Sequence, residues 1–169
     1  MKKLVTILIG SIFCFSGVVK AETTTLSGPR LGVTTITPGS ITEAIDTETI
    51  TQYGWQLETQ ISDGANFDGL VEWVVLAGGM EQGLFLPSVS SLLGLRQESG
   101  FEVAVGPNLS MSGLGMVAAV GHRYQNGSFS IPVNMSWVMS NDALGQESGH
   151  RISLTVGFTL NKKTNNYTY

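Results

Sequence analysis

Cysteine is nearly absent from this chain: the only one, Cys14, lies in an amino-terminal apolar stretch. That stretch has a basic start (Lys2, Lys3), an apolar body from Leu4 to Val19 and a small-residue site at Val19-Lys20-Ala21, the pattern of an export signal. Cleavage is expected after Ala21, dividing the chain into a signal peptide (1–21) and one domain (22–169). Phe13 before Cys14 is not the small residue that precedes a lipoprotein cysteine. A mature chain without thiols has no disulfide, no cysteine nucleophile and no Cys-based metal site.

Charge is also scarce. Only 13% of the 169 residues are Asp, Glu, Lys or Arg, against about 25% in ordinary soluble domains. Without Lys2, Lys3 and Lys20, six basic residues face thirteen acidic ones, so no basic patch for nucleic acid is expected. Long apolar runs are missing as well. After the leader no stretch of about eighteen apolar residues occurs, which excludes a spanning helix, and no segment keeps a helical period. An exported, weakly charged chain of this kind is either a membrane β-barrel or a soluble periplasmic β-protein.

What is present is alternation. From Phe101, residues Val103, Val105 and Leu109 alternate with Glu102, Ala104, Gly106 and Asn108; a bend follows at Met111-Ser112-Gly113. Leu114, Met116, Ala118 and Val120 then alternate with Gly115, Val117, Ala119 and Gly121, so Phe101 to Arg123 reads as a hairpin. Eight strands are expected: Arg30–Thr37, Tyr53–Ser62, Leu70–Gly78, Leu84–Arg96, Phe101–Ser110, Leu114–Arg123, Phe129–Met139 and His150–Leu160. Most have the length, about 9–11 residues, of a tilted strand crossing a bilayer. Connectors after the second, fourth and sixth strands are tight-turn sequences, whereas Pro38 to Gln52 and Ser140 to Gly149 are long and polar. Short turns at one rim and longer loops at the other fit an up-and-down membrane barrel.

Parity separates two faces. The apolar face takes the aromatics Tyr53, Trp55, Trp73, Phe85, Phe101, Tyr124, Phe129, Trp137 and Phe158, which are expected to form two rim girdles. Trp73, Phe101, Tyr124, Phe129 and Phe158 fall to the short-turn rim and Tyr53, Trp55, Phe85 and Trp137 to the loop rim. The other face collects Arg30, Glu58, Glu72, Arg96, Glu102, Arg123 and Arg151 beside Gly, Ser, Thr and Asn, and no proposed strand holds a lysine. A lysine or arginine facing lipid at mid-membrane costs about 2–4 kcal/mol, so the apolar face is read as lipid-facing and the charged face as the interior. A soluble barrel inverts this arrangement.

Three features strain the pattern. Pro107 and Pro132 remove ladder donors inside strands, so bulges or lost pairing are expected, with Leu109 and Met111 the outward assignments most exposed to a register shift after Gly106. Leu70–Gly78 is apolar on both faces, which specifies register weakly. A polar tail, Asn161 to Tyr169, follows the last strand.

With signal, eight amphipathic strands and rim aromatics in place, the chain resembles the small eight-stranded outer-membrane β-barrels of Gram-negative bacteria, the group of the outer-membrane protein A membrane domain. The resemblance implies a closed antiparallel transmembrane barrel, residence in the outer membrane among lipid and lipopolysaccharide, and a carboxy-terminal signal read by the insertion machinery. Candidates for that signal are Ile152, Leu154, Val156 and Phe158, or Tyr167-Thr168-Tyr169.

Chemistry is thin. Gly113-Leu114-Gly115-Met116-Val117-Ala118 has the letters of a dinucleotide fingerprint, but the next turn, Asn126-Gly127, leaves little room for a crossover helix and no acidic residue stands near twenty positions on. His150 with Ser148 and Glu147 has the residue types of a nucleophile, base and orienter, yet matches no family motif. No cofactor, catalytic or metal residue is assigned. The seven inward charges are expected to pair as a structural plug, since eight strands enclose only enough space for side chains. The expected role is structural or surface-interacting, through loop residues such as Thr42, Glu43, Asp46 and Glu48, with a host or envelope surface as partner. The alternatives are a lipid A-modifying enzyme and a soluble periplasmic barrel for an apolar ligand.

Overall fold

The structure is a computed structural model that describes residues 24–39, 42–43, 47–63, 66–127, 129–139 and 149–162. Residues 1–23, Asp46, Glu147, Ser148 and Tyr167 to Tyr169 lie outside the described residues. The strands are β1 (Thr25–Ile36), β2 (Thr49–Asp63), β3 (Phe67–Gly78), β4 (Leu86–Gln97), β5 (Phe101–Ser110), β6 (Gly113–Asn126), β7 (Phe129–Val138), β8 (Arg151–Gly157) and β9 (Thr159–Lys162). From β1 to β8 each strand pairs antiparallel with the next, and β8 and β9 both pair with β7 on one side and β1 on the other. Their registers are continuous, so β8 and β9 are two parts of an eighth strand. The sheet closes into an eight-stranded, up-and-down barrel.

Prolines explain the break in that eighth strand. Phe158, between β8 and β9, faces Pro29 of β1, and the preceding Gly157 faces Pro132 of β7; neither proline has an N–H to give. The Phe158 N–H still reaches the Pro29 carbonyl at 3.1 Å. Pro107 acts similarly: pairing of β5 with β4 lapses between Asn108 and Val105 and resumes in the same register. The loss is local. Leu109 and Met111 therefore keep the outward face, 58% and 73% exposed. Among the described residues the register shifts elsewhere, between Gln60 and Ser62 of β2.

Pairing followed round the wall reveals its stagger. From Phe101 it runs through His122, Val133, Val156, Leu31, Tyr53 and Ala77 to Pro87. Pro87 adjoins Ser88, the partner of Ser110 at the opposite end of β5. Such a shear tilts every strand steeply to the barrel axis.

Tight turns join strands at one end, where Gly100 accepts the left-handed conformation (φ 94°) that closes β4 to β5. At the other end, β5 and β6 also turn tightly through Gly113 (φ 99°), and β3 and β4 are joined by a single 3-10 turn, Met80–Gln82. Among these loop-end connections only β1–β2 and β7–β8 are long. The strands run past the alternation-based limits: β2 begins at Thr49 and β3 at Phe67, which leaves Trp55 and Trp73 in mid-strand rather than at a rim. β9 ends on Lys162, so lysine does enter a strand at its last residue.

The two faces differ in kind. Every aromatic assigned outward is exposed, together with Phe67, Leu93, Val105, Met135 and Leu154. Facing inward are buried polar groups and an apolar cluster of Leu92, Val117 and Val138, with Leu26 and Leu70 near the short-turn end and Ile36 and Ile50 near the loop end.

Candidate functional site

Alternation points residues of one parity into the lumen, and tilt brings side chains from distant strands to one level. Glu58 and Glu72 face each other directly across β2 and β3, an opposition that like charges oppose. Arginines relieve it. Arg96 of β4 donates from Nη1 to Glu58 Oε1 at 2.7 Å, and from Nε and Nη2 to Glu102 Oε2 at 3.0 and 2.7 Å. Arg123 of β6 donates from Nη2 to the other Glu58 oxygen. Asn134 of β7 donates to Glu102 Oε1 at 2.8 Å.

Arg30 and Glu72 are joined through a neutral relay. The Gln56 carbonyl oxygen accepts from Arg30 Nε and Nη2, while its Nε2 donates to Glu72 Oε2 at 3.1 Å. Three arginines and three glutamates, all at most 8% exposed, thus form one charge-balanced layer close to the short turns. Glycines make room for it. A side chain at Gly157 would meet Arg30 Cδ at 2.7 Å, and one at Gly121 would collide with Asn134.

Of the seven charged residues expected inside, six meet in this layer and Arg151 does not. Arg151 lies toward the loops and donates to Asn108 Oδ1 at 2.9 Å, while Asn108 donates to Ser90 at 2.8 Å. Between it and the layer is a cavity of about 60 Å³ bounded by Arg30, Glu72, Asn134, Ser136 and Thr155, well above the ~10–15 Å³ needed to admit a water. Arg30 Nη1, Glu72 Oε1 and Asn134 Oδ1 have no protein hydrogen-bond partner. Gln56 and Asn134 carry no charge signal in the sequence, although their inward parity is legible and each faces a glycine, Gly28 and Gly121.

Ion pairing competes with metal binding in this layer. Carboxylate oxygens of Glu58, Glu72 and Glu102 come within 4.8 Å of one another, but Arg96 and Arg123 already neutralise Glu58 and Glu102. His122 turns outward beside Tyr124, ring centres 4.5 Å apart. His150 is exposed at the loop end against Trp137 at 5.7 Å, and the other two members of its expected trio lie outside the described residues.

At the loop end Thr51 donates its N–H (2.7 Å) and hydroxyl (2.5 Å) to the exposed Glu81 carboxylate, strapping the 3-10 turn to β2. These bonds hold Glu81 below the usual carboxylate range. Gly39 donates its N–H to the Thr42 hydroxyl at 2.8 Å, and Glu48 gives its carbonyl to the Ile36 N–H at 2.7 Å.

A closed barrel of eight antiparallel strands, apolar without and polar within, is the fold of small outer-membrane β-barrels. Solved structures agree on the fold. A de novo designed transmembrane β-barrel is similar at TM-score 0.53 and 11% identity, over 86% of this chain and 100% of that one. Neisserial surface protein A matches at 0.51 and 7%, over 84% and 98%. Outer membrane protein AlkL, solved in lipid bilayers, matches at 0.51 and 11%, over 91% and 97%. No family model and no curated protein matches the sequence.

Proposed function

We propose that the chain is an outer-membrane protein, exported by a signal peptide cleaved after Ala21, whose barrel is a plugged scaffold for loops at the cell surface. The observation that carries this is the pairing of an apolar exterior with a buried, charge-balanced layer across the lumen. A soluble barrel carrying an apolar ligand needs the reverse polarity. In this orientation the short turns are periplasmic and the long loops, with Thr42, Glu43 and Glu48, are external.

The layer supports the plug reading because paired, hydrogen-bonded charges are the form in which a buried charge is tolerated. Ion flow through such a barrel requires breaking those pairs. Contacts with lipopolysaccharide or a host or envelope surface then fall to the loops, and the outward row Ile152, Leu154, Val156 and Phe158 suits recognition by the insertion machinery.

The test is an outer-membrane preparation run on a gel with and without heating. The protein is expected in that fraction with heat-dependent mobility, and recovery in the soluble periplasmic extract would refute the proposal. In planar bilayers the intact protein is expected to give no steady ion conductance; a stable open level would remove the plug reading. A His150→Ala variant that alters lipid A composition would instead support the enzyme.

A further inference from the structure

The apolar belt is uneven around the barrel. On β5 every outward residue from Phe101 to Leu109 is apolar, and Met111 and Leu114 carry the belt over the turn into β6. At about 3.3 Å per residue and a tilt near 45°, Phe101 to Met111 covers roughly 23 Å along the membrane normal, close to the ~25 Å band of such barrels. Phe85, 67% exposed, extends the same side. On β1 only Pro29, Leu31 and Val33 are apolar, between Thr25 and Ser27 below and Thr35 above, and this stretch covers roughly 9 Å by the same measure. On β2 the uninterrupted apolar row is Tyr53, Trp55 and Leu57, between Thr51 and Thr59, with Ile61 beyond Thr59 at the bulge.

Resting on the membrane reading above, we infer that outer-leaflet acyl chains submerge the β5–β6 turn at Met111 while the bilayer thins against β1 and β2. Continuity argues for lipid as the occupant, because Met111 prolongs an apolar row already facing lipid. Nothing polar separates it from Leu109 on that face. An exposed apolar turn in water loses the burial that acyl chains supply, and a short hydrophobic span is met by local thinning at modest cost per ångström. The external surface left for partners is then one-sided, formed by the β1–β2 and β7–β8 loops.

A mature chain without cysteine permits clean spin labelling. Met111→Cys, Thr35→Cys and Leu93→Cys would each carry a nitroxide in dimyristoyl phosphatidylcholine vesicles, probed with oxygen and a water-soluble nickel chelate. The Met111 label is expected to lose its relaxation by the chelate, to the level of the mid-belt Leu93 label, while the Thr35 label keeps it. Equal chelate access at Met111 and Thr35 overturns the inference, and chelate access at Leu93 overturns the membrane reading with it. Unmodified protein gives a second measure: under a water-soluble oxidant Met111 should oxidise as slowly as mid-belt Met135, and fast oxidation of Met111 alone refutes the submerged turn.

Discussion

The half of the lumen near the short turns and the half near the loops are built from the same strands but solve different problems. Near the short turns, Arg30, Arg96 and Arg123 meet Glu58, Glu72 and Glu102 in a dense layer. Near the loops, Thr34, Ser90, Asn108 and Ser153 face a cavity, and Arg151 is held by a carboxamide rather than a carboxylate. The difference lies in where water can substitute for protein. Glu58, Arg96, Glu102 and Arg123 do not line the cavity, so water there cannot replace their partners, whereas a hydroxyl beside the cavity has solvent within reach.

The two halves differ most at Arg96, which bonds two glutamates. Arg96→Met leaves Glu102 without an arginine and Glu58 with Arg123 alone, and removing one member of a buried pair costs about 3–5 kcal/mol. Urea unfolding in lipid vesicles would measure the loss, and a change below about 1 kcal/mol, the size of a surface pair, would mean that the layer is hydrated. Gly157→Leu attacks the same layer sterically. A side chain there collides with Arg30 and Pro132, so a loss of about 1–3 kcal/mol from overpacking is expected with the ionic residues themselves intact.

Why was one half easier to foresee than the other? The strands, their faces and the closed barrel were legible because a period of two, turn residues and aromatic placement are local signals. Pro107 and Pro132 were legible as pairing faults, but not their containment, which depends on registers held by neighbouring strands. The inward set was also legible by parity. Its partnering was not: Arg96 meets Glu58 across two strands only because stagger brings them to one level, and stagger is a property of the closed sheet. Arg151 shares parity with the layer but lies at the wrong level to join it. Gln56 was overlooked because a neutral amide carries no charge signal, yet it links Arg30 to Glu72.

Near the loops the expected effects shrink. Asn108→Ala removes the acceptor for Arg151 and the donor to Ser90. Beside a cavity that admits water, the loss is about 0.5–1.5 kcal/mol, the ordinary net value of a hydrogen bond. The same urea titration distinguishes this from the Arg96 variant, and equal losses would erase the contrast between the halves.

The mildest effect is set by pH at the rim. Thr51 donates two hydrogen bonds to the Glu81 carboxylate, and together they depress its proton affinity below the ordinary value of 4.5. A group depressed in the folded state stabilises above its unfolded value, and that contribution is lost as pH falls through the lower folded value. Protection of the Thr51 amide from hydrogen exchange should therefore persist at neutral pH and decline only under acid conditions below that ordinary value. Glu81→Gln keeps the shape and removes the titration, so its Thr51 protection should not change across the same acid range. Because Glu81 is fully in water, the barrel itself should remain folded throughout, as heat-dependent mobility would report. Global unfolding in the acid range where Thr51 loses protection would place the pH-sensitive group inside the lumen rather than on this strap.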